Sequence, residues 1–385
     1  MSAMPPKRLR DPDLADIAAK VAAGERLDHA DGMRLCASRD IFAIGRMANL
    51  VRERLHGRDA FYNVNRHINY TNVCILRCRF CSFRRSHRTA RTGAGPDPDD
   101  GGYVLSVEEV VRQASEAYHA GATEVHIVGG LHPTLPFSYY LDMCRGIRRT
   151  CPRIHIKAFT AVEIIHFTRI ARPRLSVHDV LERLRDAGLD SLPGGGAEIF
   201  DDRVHDEAFR AKVGEHGWFD VHRVAHEMGI FSNATMLYGH IERPAERIAH
   251  LLKLRDHQDA SLRHRRAHFN CMVPLPFVPE RTGFASLPGP TGLDSLKTLA
   301  ICRLMLDNIP HIKAFWVMQG PKLAQVSLNW GVDDIDGTVV RYGITRGGGR
   351  DEGRRELTPE QLRRLIVEAG CNPVERDTLY RPIVR

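Results

Sequence analysis

"FYNVNRHINYTNVCILRCRFCSFRRS", residues 61–86, joins two patterns whose combination decides how the chain folds. The first half alternates. Tyr62, Val64, Ile68 and Tyr70 fall on one face of an extended segment, and Asn63, Asn65, His67 and Asn69 fall on the other, which is the period of a β-strand. The second half carries Cys74, Cys78 and Cys81 in the spacing C-x-x-x-C-x-x-C, just where that strand ends. Three soft sulfur ligands at a strand end imply a metal centre built on whatever scaffold the strand begins.

The scaffold follows from the rhythm downstream. Helical stretches at 105–121, 138–149, 176–188, 219–228, 244–257, 293–306 and 320–331 have apolar residues every three to four positions. Between them lie strand-like segments: "TEVHIVGG" (123–130), "IHIKAFT" (154–160), "LDSLPGG" (189–195), "IFSNATMLYG" (230–239), "HFNCMVPL" (268–275), "IKAFWVM" (312–318) and "DIDGTVVRYG" (334–343). Ser106 and Glu109 form a capping box before the first of these helices, and Gly121 suits its C-terminal turn. Alternation of this kind implies βαβ units and a parallel sheet, and about eight units suit a (β/α)8, TIM-like barrel of the α/β class. A doubly wound open sheet alternates in the same way, so closure is an expectation. In a barrel the chemistry collects where strands end, and the unusual residues fall there: Cys74, "GGLHP", "TAVEI", "PGGGAE" and "YGHIE". The expected organisation is a disordered lead-in (1–12), helices packing on the barrel (13–59, with ends at Gly24 and Gly57), the barrel (60–345), and a C-terminal helix and tail (346–385).

Bulk composition narrows the setting. The chain has 385 residues, 43% hydrophobic and 26% charged, as in a globular protein. No apolar run reaches the length of a membrane span, and the N-terminus lacks the apolar core of a secretory signal, so a cytoplasmic protein without a membrane partner is expected. Cys36, Cys144, Cys151, Cys271, Cys302 and Cys371 are scattered and read as small buried residues. The net charge of +8 suits an anionic small-molecule substrate. It would also suit nucleic acid, but no long basic block or RNA-binding module accompanies it, and none is expected. Residues 84–103 are polar and rich in Gly, Pro, Asp and Arg, and read as a mobile loop beside the cysteines.

Thiolates favour zinc, copper(I) or iron–sulfur clusters. A structural zinc site wants four ligands, and His67 or His87 would complete a tetrahedron with the three cysteines. A 4Fe–4S cube on three cysteines instead leaves one iron open to a ligand. Arg77, Arg79, Arg84 and Arg85 stand nearby and favour thiolates and an anionic cluster.

The pattern C-x-x-x-C-x-aromatic-C, with Phe80 before the last cysteine, resembles the signature of the radical S-adenosylmethionine enzymes. That resemblance implies a 4Fe–4S cluster on Cys74, Cys78 and Cys81 whose open iron chelates S-adenosylmethionine, with Phe80 beside it. It also implies a flavodoxin- or ferredoxin-type electron donor and allows a homodimer. "VGGLHP" (128–133) resembles the superfamily's glycine motif, which places Gly129 and Gly130 against the methionine moiety. "HIKAFTAVEI" (155–164) and "LPGGGAEIF" (192–200) together resemble the aminofutalosine synthases of the futalosine route to menaquinone, and "NATMLYGHIE" (233–242) and "DIDGTV" (334–339) agree. The related cyclase and the deazaflavin synthases read closer to "HAFSPPEI" at the first of these. Both remain alternatives, and a tRNA-modifying radical enzyme is a more distant one.

By residue type, Glu163 suits ribose hydroxyls, and Gly194, Gly195 and Gly196 offer bare backbone for a ligand. Glu198 suits ribose or substrate. His240 and Glu242 are the candidates for proton transfer. Asp336 either lines the pocket or makes a turn. The implied reaction is addition of the adenosyl radical to 3-[(1-carboxyvinyl)oxy]benzoate.

Overall fold

The strand expected at 61–73 is divided. In the computed structural model, which describes residues 9–87, 90–92, 101–340, 342–344 and 356–384, Asp59–Asn63 (β1) and Asn65–Ile68 (β2) belong to different sheets. The break has a local cause. The Asn65 N–H donates to the Thr338 hydroxyl (3.0 Å), and the Asn65 side-chain oxygen accepts the Val339 N–H (2.8 Å), where a neighbouring strand would otherwise bond. The close approach depends on Gly337, where a Cβ would lie 2.2 Å from the Asn63 side-chain oxygen.

Ala90–Thr92 (β3) and Gly102–Val104 (β4) form a separate two-stranded pair. The main sheet continues from β2 through Glu124–Ile127 (β5), His155–Ala158 (β6), Ser191–Leu192 (β7), Phe231–Tyr238 (β8), Phe269–Pro276 (β9) and His311–Ile312 (β10). These seven strands are parallel and lie side by side in chain order, a curled half-barrel with helices on its outer face. The expected α/β barrel architecture is therefore present, but the eighth strand is not an eighth ladder. Asp334–Gly337 (β11) pairs with β1, and a single Lys313–Asp334 bridge ties it to the segment after β10. The His67 N–H donates to the Val339 carbonyl (2.8 Å), so residues 334–340 carry the wall round to β2.

The connecting helices start where their caps dictate. Ser106 accepts the Glu109 N–H ahead of Val107–His119, but the Glu109 carboxylate turns to Arg112 and Gln113, which leaves the expected box half made. Ala161–Ile170 was not expected. Thr160 and Glu163 cap it reciprocally, and T-x-x-E was its signal. At the N-terminus, Ala15–Ala23 and Ile41–His56 end at Gly24 and Gly57 as expected. A third helix, His29–Ala37, stands between them on an Asp28/Asp31 box. Leu14, Ile17, Leu35, Ile44 and Met47 from this region are buried in the same core as the barrel helices. Cys144, Cys151, Cys271, Cys302 and Cys371 are buried, in line with their reading as packing residues, and Cys36 is half-buried. Half of the 84–103 loop, part of the 1–12 lead-in and residues 346–355 lie outside the described residues.

The tail does more than follow a helix. After Pro359–Glu368, Asn372–Glu375 (β12) pairs with the free side of β1. Arg376 then enters the interior, where its Nε lies 2.7 Å from Asp334 Oδ2 with both side chains buried. Removing one partner from such a pair leaves a buried charge without compensation. Arg376→Met should lower unfolding free energy by about 3–5 kcal/mol in urea titration. Arg364→Met breaks an ion pair whose arginine is 79% exposed, and should shift it by less than about 1 kcal/mol.

Candidate active site

The strand ends open on a cavity of 310 Å³. One end holds Cys74, Cys78 and Cys81, the other holds His67, His126, Lys157, Lys313 and Asp336, and Gly129, Gly130 and Gly194–Gly196 contribute to the wall between.

The cysteine loop is bound to the exit of β5 by main chain. The Gly130 N–H donates to Thr71 O (2.9 Å) and the Ile75 N–H to Leu131 O (3.0 Å). A Cβ on Gly130 would lie 2.2 Å from Val73 O, and one on Gly129 would lie 2.7 Å from the Tyr70 ring. Both glycines therefore let the loop lie flat on the strand. The Gly129 N–H is already bonded to Glu163 Oε1 (3.1 Å).

The three sulfurs suit a cluster better than a single ion. Thiolates around one tetrahedral zinc stand about 3.8 Å apart, given Zn–S bonds of about 2.3 Å. Among the described residues, the groups of three ligand atoms lying within 4.8 Å of one another do not include these cysteines. His67 lies at the opposite end of the cavity, and His87 packs edge-on to His132 at 5.1 Å. Burial pushes the Cys78 thiol up to about 12 and raises that of Cys81, so these sulfurs ionise only against strong positive charge, as a metal supplies.

A fixed cation stands beside them. Lys212 is ion-paired with Glu198, and its ammonium lies 5.0 Å from the centre of the Phe80 ring. Burial lowers its pKa, but Glu198 and Cys78 outweigh burial and the net shift is upward. Phe80 meets Phe209 edge-on at 5.8 Å. Lys212 escaped sequence reasoning because the segment at 204–216 shows no period. Of the four nearby arginines, Arg84 lines the cavity and donates to Cys74 O (3.2 Å). Arg79 lies over the Phe284 ring at 4.0 Å, Arg85 serves the carbonyls of Ser82 and Arg84, and Arg77 is exposed.

Glu163 is 1% exposed and lines the cavity with both oxygens engaged. It accepts from the Thr160 N–H (2.7 Å), the Thr160 hydroxyl (2.8 Å), the Tyr70 hydroxyl (2.7 Å) and Gly129. Burial lifts its pKa to about 7 against the pull of these donors. The same carboxylate thus caps a helix, holds the glycine turn and faces the cavity. Gly194 packs on β8, where a Cβ would lie 2.4 Å from Asn233 O, and Gly196 has φ 101°. Glu198 lines the wall at φ 46°.

His240 and Glu242 are not brought to the cavity. After β8 the chain turns away at Gly239 (φ 88°). Glu242 accepts the His240 N–H (2.9 Å) and the Arg247 Nε (2.7 Å), and His240 Nε2 lies 3.1 Å from Leu237 O. Both side chains are at most 1% exposed, and they tie the β8 exit to the helix Pro244–His264.

The far end of the cavity is a layer of the barrel interior. His67, His126 and Lys157 are paired in register across β2, β5 and β6. Lys157 Nζ is 2.8 Å from Glu124, Lys313 Nζ is 2.6 Å from Asp336, and Thr378 holds Glu124 from the tail (2.7 Å). Sequence reasoning missed this floor because its parts come from distant strands.

Comparison with known proteins places this geometry. Residues 68–254 match the radical SAM superfamily, and residues 268–384 match the CofH/MqnC C-terminal region. The chain is 45% identical over 379 residues to an aminodeoxyfutalosine synthase of Thermus thermophilus, covering 97% of each chain. It is 42% identical to one of Streptomyces coelicolor, covering 95% of this chain and 92% of the other. To a 5-amino-6-(D-ribitylamino)uracil–L-tyrosine 4-hydroxyphenyl transferase of Methanopyrus kandleri it is 39% identical, covering 95% of each. Methylornithine synthase shares the fold at a TM-score of 0.70 and 19% identity, over 92% of this chain and 96% of that one. No helix among the described residues is long and apolar enough to cross a membrane. Three cysteines at the mouth of a parallel barrel, with sequence likeness from end to end, make this chain a member of the radical S-adenosylmethionine superfamily, whose enzymes use a 4Fe–4S cluster with S-adenosylmethionine, in the branch that holds the aminodeoxyfutalosine synthases.

Proposed function

We propose that the chain joins C5′ of S-adenosylmethionine to the vinyl carbon of 3-[(1-carboxyvinyl)oxy]benzoate. The product is 6-amino-6-deoxyfutalosine, methionine and bicarbonate leave, and the step belongs to menaquinone biosynthesis. The carrying observation is where "HIKAFTAVEI" lies. Of Lys157, Thr160, Ala161 and Val162, at which it departs from "HAFSPPEI", Lys157, Thr160 and Val162 line the cavity. This is the segment that reads as a synthase and departs from the cyclase and deazaflavin patterns, so the difference falls on a wall that a substrate touches.

Cys74, Cys78 and Cys81 hold the cluster in this reading. When bound, it supplies the electron that splits the sulfonium into methionine and a 5′-deoxyadenosyl radical. The chain's own residues set the rest. Gly129, Gly130 and Gly194–Gly196 keep the wall bare, so that backbone and ligand approach closely. Glu198 and Lys212 place an acceptor and a donor beside the cysteines, within reach of ribose or the methionine end. Val128, Leu237, Val273, Leu275 and Phe277 make an apolar wall that excludes water and holds the two reacting carbons together. His240 and Glu242 act at one remove, by fixing the β8 exit. A flavodoxin- or ferredoxin-type protein is the electron donor.

The direct test is anaerobic reconstitution, reduction with both substrates present, and mass spectrometry that follows the adenosyl carbons. They should appear covalently joined to the benzoate-derived product. Their appearance only as 5′-deoxyadenosine would sink the synthase reading and bring forward the cyclase substrate, or tyrosine with the ribitylaminouracil. Iron and sulfide analysis tests the ligands separately. Cys74→Ala, Cys78→Ala and Cys81→Ala should each lose most of the cluster, while Cys36→Ala keeps the full complement.

A further inference from the structure

The floor of the cavity contains polar groups that the preceding reading leaves without work. His67 is 4% exposed, and neither ring nitrogen has a hydrogen-bond partner among the described residues. An unpaired buried polar group costs about 1–3 kcal/mol, so a fold keeps one only where something compensates. The ring is held firmly. It stacks on His126 at 4.4 Å and 14°, and Tyr342 meets it edge-on at 5.4 Å. Lys157 and Lys313 flank it, each bonded among the described residues to a single carboxylate, although an ammonium has three N–H groups to donate. Glu124 is bound a second time by Thr378 and turned toward the tail. His67, Lys157 and Lys313 thus bring unused donors to the same cavity, and Arg84, the arginine among its described lining residues, is bonded to Cys74 O at the cysteine end.

We propose that this floor is the carboxylate-binding subsite of an aromatic acid, with Lys157 and Lys313 donating to its oxygens and His67 donating from its ring. On the reading given above, on which this inference rests, the acid is 3-[(1-carboxyvinyl)oxy]benzoate. Its benzoate carboxylate is the one bound, because the vinyl carbon must face the cysteine end and the ring carboxylate is the far end of the molecule. The ring then lies along Val273, Leu275 and Phe315.

Binding should also take up a proton. The charged groups facing the two imidazoles are Glu124, Asp336, Lys157 and Lys313, and they stand in balanced pairs. Burial lowers the pKa of His67 to about 4 and that of His126 well below its ordinary value, so both are neutral in the free protein. An arriving carboxylate adds an uncompensated negative charge and raises these values. Protons are then bound between the free and bound pKa, and affinity rises as pH falls.

The test is calorimetry on the cluster-loaded, unreduced protein with S-adenosylmethionine present, where the acid binds but does not turn over. Titrations in two buffers of different ionisation enthalpy count the protons. Wild type should bind 3-[(1-carboxyvinyl)oxy]benzoate with net proton uptake, greater at pH 6 than at pH 8. His67→Phe keeps the stack and removes the nitrogens. It should weaken binding about tenfold to a hundredfold, the worth of one hydrogen bond to a charged group, and reduce the uptake. The double variant Lys157→Gln/Glu124→Gln removes the charges as a pair and should weaken binding similarly. The methyl ester of the benzoate carboxylate, offered to wild type, needs no variant to fold and should bind as poorly. Equal affinity of acid and ester, with unaltered binding in both variants, would overturn the subsite and leave the proposed reaction standing. Failure of the acid to bind wild type at all would overturn both.

Discussion

One register governs this site: β2 against β5, from Asn65 opposite Glu124 to Ile68 opposite Ile127. Because side chains alternate along a strand, a slip by one residue would turn every inward group outward. At the start of the pairing, Asn65 binds the 338–339 segment and breaks the first strand in two. Within it, His67 meets His126, and His126 meets Lys157. Above it, the ladder continues past the strands as the Thr71–Gly130 and Ile75–Leu131 hydrogen bonds, which hold the cysteine loop. The floor and the mouth are thus set along the same two strands, and their separation is a property of backbone pairing.

Charge in the interior obeys a second constraint. A buried ion without a partner is expensive, and the ions here come in pairs: Glu198 with Lys212, Glu124 with Lys157, Asp336 with Lys313 and Asp334 with Arg376. Pairing lets a largely apolar cavity keep ammonium groups pointed at its ends without a net field that would draw in water and ions. The same balance gives the imidazoles their part. In a neutral layer the only adjustable charge is a proton, and histidine is the side chain that accepts one near physiological pH.

The order of strands and helices was legible because each βα unit writes its own period. The three cysteines were legible because ligands close in sequence need no tertiary information. The break at Asn65 was hidden, since the alternation resumes after Arg66 and all of β2 is buried. The helix at 161–170 was marked by T-x-x-E, but the strand-end position of Glu163 suggested a ligand contact, and the carboxylate in fact does the capping while facing the cavity. His240 and Glu242 show the limit of strand-end reasoning. It locates a loop but not the direction in which the loop turns, and here one positive φ at Gly239 sends it away from the cavity. Lys212, Lys313 and the final strand are long-range features, and no local pattern announces them.

An aminodeoxyfutalosine synthase and a 5-amino-6-(D-ribitylamino)uracil–L-tyrosine 4-hydroxyphenyl transferase match this chain over at least 95% of their lengths at 45% and 39% identity, so on the proposed reading the choice of acceptor cannot lie in the fold. Nor can it lie at the cysteine end, where every member must hold the same cluster and the same sulfonium. What remains is the wall and floor beyond: the side chains that β6, β8, β9 and the 313–342 segment turn inward. Lys157 is the residue that connects these arguments. It lies in the segment that resembles the synthases, it pairs in register with the stacked histidines, and its charge is balanced by a carboxylate that the C-terminal tail holds in place. On the proposed reading, the tail beyond β12, remote in sequence and absent from the cavity wall, bears on acceptor binding through Thr378, which holds the partner of the lysine at the cavity floor.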